Sequence, residues 1–176
     1  AEKSTLETIE LSERPIAITH ANPSFFHAAL RNKSDAVIRA IGESEGMLGF
    51  SMYPFHLKNG PDCTLEEFCQ MIGQTVEMIG IDRVGIGSDL CLNWDYKVLE
   101  WMRSGRWTTG VDHGEGSAEK PDWPDQPSWF SGTKDLNIVA KGLEEQGFSD
   151  DNIAKVMGEN WLSFFEKSFS GSLLDS

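Results

Sequence analysis

Short apolar runs alternate with amphipathic segments along the first half of the chain. Three runs have the length and β-rich composition of buried strands: IAIT at 16–19, GMLGFSMY at 46–53 and the apolar part of DRVGIGSD at 82–89. Because these runs are apolar throughout instead of alternating with polar residues, they predict strands that are covered on both faces.

Helix-start signals precede the segments that lie between these runs. A capping-box pattern begins at Ser4 and predicts a helix over about residues 4–12, and Ser34 is a good N-cap for a second helix. A second capping box begins at Thr64, and apolar residues at helical spacing follow it: Leu65, Phe68, Met71, Ile72, Val76 and Ile79.

The second half of the chain has a different composition. A long connection at about 92–132 carries five of the six Trp and several Pro and Gly, with one short helix predicted near YKVLEWMRS. A helix through TKDLNIVAKGLEEQ is predicted next, with Gly147 as its C′ residue. Ser149 is the predicted N-cap of a last helix, which continues through EKSF near the end of the chain.

The order of these elements indicates the fold class. Strands that alternate with helices predict an α/β protein with a parallel sheet. Three parallel strands leave two long open edges, and two of these strands are followed by His20 and Asp89. Enzymes with a (β/α)₈ barrel carry their active-site residues at such strand ends. The pattern therefore predicts the C-terminal portion of a (β/α)₈ TIM-type barrel whose other strands are not in this sequence.

Composition limits the partners and the compartment. The chain has 176 residues and a net charge of -13, which argues against a nucleic acid or an anionic membrane as its partner. No apolar run approaches the length of a membrane span. The three Cys residues have no metal-binding spacing, which favours reduced thiols and a cytoplasmic location.

The residues at the strand ends have both a functional and a structural interpretation. For His20, a metal ligand and a structural histidine are about equally favoured. Asp89 fits a general base or a metal-adjacent carboxylate as well as a turn residue. Arg31 fits a fork for a substrate carboxylate, although a solvated surface arginine is the commoner case. Tyr53 fits a pocket wall or simple packing at the rim of the sheet.

The remaining histidines carry weaker signals. His27 and His56 read as ordinary loop residues, and His113 lies in the long connection with nothing in the sequence to hold it near the other candidates.

Four motifs in this order and spacing are more specific than any single residue: RPIAITHANP with the following RN, then GMLGFSMYP, IDRVGIGSDL and MGENWLSFF. They closely resemble the C-terminal half of the membrane dipeptidase (renal dipeptidase) family of zinc peptidases. The likeness runs from residue 1 to about 167, except for the Trp-rich connection.

This resemblance implies a (β/α)₈ barrel with a two-zinc centre that hydrolyses dipeptides by a metal-bound hydroxide. It implies that His20 is a zinc ligand, that Asp89 handles protons beside the metals and that Arg31 holds the dipeptide. Tyr53 matches a position near the substrate pocket without a firm role.

The family's other zinc ligands have no counterpart in this chain. They are an H-x-D pair, a bridging Glu and the histidine of an SHC strand. We therefore expect residues 1–176 to be the C-terminal half of one barrel domain and the N-terminal half to be its partner. A homodimer is a further expectation, since such barrels often pair.

Two other functions stay open. The family usually reads GSDFDG where this chain reads GSDLCLNW, so Cys91 replaces an acid close to the substrate. An amidase or lactonase that uses the same zincs is one alternative. A non-catalytic relative that has lost its metal centre and binds a ligand is the other.

Overall fold

The structure, a computed structural model, describes residues 2–92, 95–103 and 124–169. Parts of the Trp-rich connection, including His113, lie outside these ranges. In the described part of the chain, no helix has both the length and the apolar character that crossing a membrane requires.

The three predicted strands are present and form one parallel sheet in the order β1-β2-β3. They are β1 (Ala17–Ile18), β2 (Met47–Phe50) and β3 (Val84–Ile86). Ile18 pairs with Leu48, and Leu48 pairs with Val84, so the central strand β2 aligns the other two. The prediction of an α/β fold with a parallel sheet is confirmed.

Helices precede, connect and follow these strands. They are α1 (Glu2–Leu11), α2 (Asp35–Glu43), α3 (Leu65–Ile79), α4 (Tyr96–Arg103), α5 (Leu136–Glu145), α6 (Asp150–Ala154) and α7 (Asn160–Phe169). Single 3₁₀ turns lie at Pro54–His56, Gly60–Asp62, Ile81–Arg83 and Thr133–Asp135.

Three of the four predicted helix starts, at Ser34, Thr64 and Ser149, are confirmed. The Thr64 hydroxyl accepts a hydrogen bond from the backbone N–H of Glu67 at 3.1 Å, and the Glu67 carboxylate accepts one from the backbone N–H of Thr64. The Ser34 hydroxyl caps α2 by accepting a hydrogen bond from the backbone N–H of Val37 at 3.4 Å. The prediction for Ser4 was wrong, because α1 begins at Glu2 and places Ser4 inside the helix.

The core lies between one face of the sheet and the helices. Leu48, Phe50 and Val84 are fully buried on this face. The side chains in the same buried cluster come from α2, α3 and α5: Ile38, Phe68, Ile72, Val139 and Leu143. Full burial of such side chains contributes about 1.5–3 kcal/mol each, so this layer supplies much of the stability.

The opposite face of the sheet is lined by glycine. Side chains alternate between the two faces of a strand, which places Gly49, Gly85 and Gly87 opposite the helix-covered core. A Cβ at Gly49 or Gly87 would overlap the carbonyl oxygen of Thr19, and a Cβ at Gly85 would overlap the Trp161 indole. The packing around Gly85 and Gly87 is therefore too close for any side chain.

Two side chains of α7 cover the outer edge of β3. The Asn160 amide donates hydrogen bonds to the carbonyls of Ile81 and Val84 at 2.7 and 2.8 Å. The Trp161 indole N–H donates to the Ile86 carbonyl at 3.0 Å. The last helix is thus held against the sheet by hydrogen bonds as well as by apolar contact.

The sequence predicted one continuous last helix, but the structure interrupts it. It divides into α6 and α7 around a π-helical segment, Lys155–Glu159, in which Gly158 has non-helical backbone angles. A π turn adds one residue and rotates the side chains that follow it. The bonds from Asn160 and Trp161 to β3 stabilise this rotation.

The glycine-lined face gives a stability prediction. We expect Gly87→Ala to lower the free energy of unfolding by about 2 kcal/mol or more, because the new methyl group meets the backbone carbonyl of Thr19, which has little freedom to move. Urea unfolding of the protein measures this. Gly132→Ala is the control, since a Cβ there meets no atom within 4 Å. Equal stability of both variants would contradict the packing.

Candidate active site

Three of the candidate residues follow the carboxyl ends of the strands. His20 comes two residues after β1, Tyr53 three residues after β2 and Asp89 three residues after β3. Because the strands are parallel, these ends lie at the same edge of the sheet. The expectation that His20 and Asp89 come to one edge is confirmed for the described residues.

The surroundings of His20 define its tautomer. The Arg31 guanidinium contacts Nε2 of His20, and Nδ1 lies 2.8 Å from the Thr19 hydroxyl. A guanidinium has donors and no acceptor, so Nε2 must accept this hydrogen bond. The proton of the neutral ring is therefore on Nδ1, and it is donated to Thr19. The Nε2 lone pair accepts from Arg31 here, and a metal ion would have to take the place of this guanidinium to bind it.

Burial and nearby charges shift the pKa of His20, and they do not all act in the same direction. Partial burial is the main cause that lowers the pKa of His20, the Asp89 carboxylate raises it, and the Arg31 guanidinium lowers it. The net result is a pKa below the ordinary value of 6.5. Burial and the Arg31 charge therefore favour the neutral imidazole that metal binding requires, against the opposing effect of Asp89.

Asp89 has an unusual backbone. Its φ angle is +56°, in the left-handed region that aspartate tolerates better than most side chains. The residue is exposed at the edge of the sheet. Backbone conformations of this kind carry a free-energy cost and concentrate at functional sites, which favours a role for Asp89 beyond that of a turn residue.

Tyr53 is more enclosed than the other candidates. Only 4% of its surface is exposed. Its ring packs edge to face on Phe55 and His56, with centroid distances of 5.6 and 5.0 Å. As described, Tyr53 offers little surface to a ligand, and its place in a substrate pocket stays a prediction.

A buried polar network behind these residues was not anticipated from the sequence. The Asn32 Oδ1 accepts from the backbone N–H of Asn22 at 2.9 Å. The Asn32 Nδ2 donates to the carbonyls of His27 and His56 at 2.8 and 2.9 Å. Asn22 donates to the carbonyls of Ser51 and His56 at 3.0 and 3.1 Å and accepts from the Ser51 N–H.

His56 belongs to this network and is not an ordinary loop residue. It is 2% exposed, and its Nδ1 lies 2.8 Å from the Ser51 hydroxyl. Its charge would lower the pKa of His20, so it lies near the candidate site. The available signal in the sequence was that Ser51 directly follows the buried strand β2 and that His56 lies in the loop after it.

The described residues offer only part of a metal site. Within residues 2–92, 95–103 and 124–169, no group of three His, Cys, Asp or Glu side chains could hold a metal ion. The lone pair on His20 Nε2 and the nearby Asp89 carboxylate fit a zinc ion, but a catalytic zinc commonly takes about three protein ligands. A zinc ion here would need further ligands beyond the described residues.

The family model of the membrane dipeptidases (Peptidase family M19) matches residues 1–98, which include His20, Arg31, Tyr53 and Asp89. The chain belongs to the membrane dipeptidase family. This confirms the resemblance seen in the sequence motifs.

Individual relatives match more of this chain but are much longer. Dipeptidase tcpJ of Claviceps purpurea (strain 20.1) is 24% identical over 161 residues, which is 91% of this chain and 31% of the relative. The chain therefore spans about a third of that curated relative.

Solved structures show the same fold. An amidohydrolase from Pseudomonas aeruginosa is 24% identical with a TM-score of 0.81, over 94% of this chain and 49% of the other. A metallopeptidase from Rhodobacter sphaeroides, solved with a phosphinate mimic of the dipeptide L-Ala-D-Ala, is 21% identical with a TM-score of 0.71. That match covers 96% of this chain and 40% of the other.

The lowered pKa of His20 gives a pH prediction for the metal-free protein. The folded state binds a proton at His20 less readily than the unfolded state, so stability should fall as the pH drops from 6.5 through the lower pKa of the folded state. Thermal unfolding between pH 8 and pH 5 with a chelator present measures this. His20→Gln should flatten part of the pH dependence, and an unchanged profile would contradict the assignment.

Proposed function

We propose that the protein containing this chain is a zinc-dependent dipeptidase. The observation that supports this most directly is the convergence of His20, Arg31 and Asp89 at the carboxyl edge of the sheet in a member of the membrane dipeptidase family. In this proposal His20 is a metal ligand, Asp89 is the proton-transfer residue and Arg31 binds the substrate carboxylate.

The proposal includes a complete barrel. Residues 1–176 are the C-terminal half of a (β/α)₈ barrel, and the N-terminal half supplies the remaining strands and metal ligands. Two observations support this. The sheet of the described residues has three parallel strands, and the chain matches only 49% and 40% of the two solved structures described above. A parallel sheet is normally closed or covered along its edges, and the additional strands would close this one.

Zinc, when bound, would polarise the peptide carbonyl and lower the pKa of water to around 7. The contribution of His20 is a neutral imidazole whose Nδ1–H is held by Thr19, so the lone pair on Nε2 has a fixed direction. A hydrogen bond of this kind to the second ring nitrogen raises the basicity of a ligating histidine.

Asp89 is suited to proton transfer in this site. Its carboxylate accepts a proton from the attacking water and then gives it to the leaving amine of the cleaved dipeptide. Asp89 lies three residues after β3 with a left-handed backbone, and its carboxylate acts on the His20 imidazole.

Arg31 is suited to a carboxylate ligand because its guanidinium offers a planar pair of donors. In the described structure these donors contact His20. A cation at Nε2 would repel the guanidinium, and the exposed Arg31 side chain is free to turn toward the anionic end of a dipeptide. Tyr53 packs behind this region and has no assigned step.

An amidase is the second candidate. The amidohydrolase from Pseudomonas aeruginosa has the same fold over 94% of this chain, and Cys91 stands where the family pattern has an acid. The change at Cys91 concerns the surroundings of the substrate and leaves the proposed roles of His20 and Asp89 unchanged.

The first test uses the full-length protein with zinc. We expect about two zinc ions per barrel and hydrolysis of L,L or L,D dipeptides, because the site residues fit a metal-dependent mechanism. A chelator should abolish hydrolysis, and added zinc should restore it. Cleavage of N-acyl amino acids or lactones alone would favour the second candidate. A protein without bound metal or hydrolytic activity would contradict both.

The second test concerns Asp89. Asp89→Asn should lower kcat by about 10²–10⁴-fold with little change in KM, because the amide cannot accept the proton. Asp82→Asn is the matched control, since Asp82 is an exposed acid that pairs with Lys155 at the opposite end of β3. A raised KM with unchanged kcat for Asp89→Asn would indicate a binding role instead.

A further inference from the structure

Two asparagines join the segments that carry His20 and Arg31. Asn22 lies two residues after His20, and Asn32 follows Arg31 directly. The backbone N–H of Asn22 donates to the Asn32 side chain at 2.9 Å, which links the two ends of the connection between β1 and α2. We call the pair Asn22 and Asn32 the asparagine clamp.

The clamp is also fixed to the loop that follows β2. Both amide groups donate to the same carbonyl oxygen, that of His56, at 3.1 and 2.9 Å. A carbonyl oxygen has two lone pairs and accepts both bonds. Asn22 and Asn32 are 0% and 9% exposed, so these bonds are shielded from water and define one arrangement of the loop.

We propose that Asn32 is a positioning residue that fixes the Arg31 backbone near His20 and thereby sets the place from which the guanidinium reaches a substrate carboxylate. This inference rests on the proposed function. Arg31 is exposed on a loop, and a long side chain in that setting has many rotamers. Its direction depends on a fixed backbone, and Asn32 supplies that constraint through three hydrogen bonds from the adjacent position.

The loop keeps other bonds when the Asn32 side chain is removed. The backbone N–H of Lys33 donates to the Asn22 carbonyl, and that of Ser24 donates to the Lys33 carbonyl, both at 2.8 Å. Asn32→Ala therefore loosens the stem of the loop without releasing its closure. The expected defect is a displaced Arg31 in a folded protein.

A double-mutant cycle in the full-length protein tests the proposal. Asn32→Ala should raise KM for a dipeptide about tenfold, because a small displacement of a binding group is costly. In an Arg31→Ala background the same change should alter KM by less than about twofold, since Asn32 acts through Arg31. An undiminished effect of Asn32→Ala in that background would overturn the proposal.

Asn160→Ala is the matched control. Asn160 is also a buried asparagine that donates two hydrogen bonds to backbone carbonyls, but at the amino end of β3. It should lower stability without raising KM, because KM does not depend on the amount of folded enzyme. An equal rise in KM for both variants would mean that Asn32 has only a structural role. If Asn32→Ala does not fold, Asn32→Ser takes its place in the cycle.

A crystallographic comparison separates this inference from the proposed function. A full-length protein that cleaves no dipeptide would refute the proposed function. The positioning of Arg31 by Asn32 would then be tested by the crystal structures alone. In metal-free crystals, the Arg31 guanidinium should contact His20 in the wild type and leave it in Asn32→Ala. An unchanged contact between Arg31 and His20 in the variant would overturn the proposed role of Asn32.

Discussion

The parallel pairing of β1 and β3 with β2 is the constraint on which the rest of the structure depends. The pairing of Ile18, Leu48 and Val84 fixes the height of the three strands relative to one another. Functional side chains that follow the carboxyl ends of these strands must then lie at one edge of the sheet. A slip of one residue would turn the apolar side chains of a strand away from the helices and the glycines into the core. Burial of the core therefore also determines the position of the candidate site.

The two faces of the sheet differ in what packs against them. Leu48, Phe50 and Val84 face helices and provide stability. Gly49 and Gly87 on the other face allow the end of β1 to approach the neighbouring strands at a distance that no side chain would permit. Because these two glycines have no side chains, the segment that carries His20 can lie close to the segment that carries Asp89.

Much of the fold was predictable because the signals are local. The Thr64 capping box succeeded since both partners of the motif are in the same turn. The equivalent pattern at Ser4 failed because a helix that begins upstream, at Glu2, leaves the serine no free N–H groups to cap. A local motif indicates that a helix is near, but its first residue depends on the preceding segment.

The network around the site was less accessible from the sequence. Asn22, Asn32 and His56 are each unremarkable in a loop, and polar loop residues usually contact water. Their roles come from contacts between positions 24 and 34 residues apart, which only the assembled sheet creates. The family motif included Arg31 and Asn32 as an RN pair, but the physical contribution of Asn32 became visible only from the tertiary hydrogen bonds.

The hydrogen bonds from α7 to β3 also bear on how this chain meets other polypeptides. An open strand edge invites another strand to add to it, which is a common route to aggregation. Here the carbonyls of Val84 and Ile86 are already engaged by Asn160 and Trp161. A strand that completes a cylinder along this edge must offer backbone donors good enough to replace or share these side-chain bonds. The same helix that covers this edge would therefore compete with any strand that adds to it.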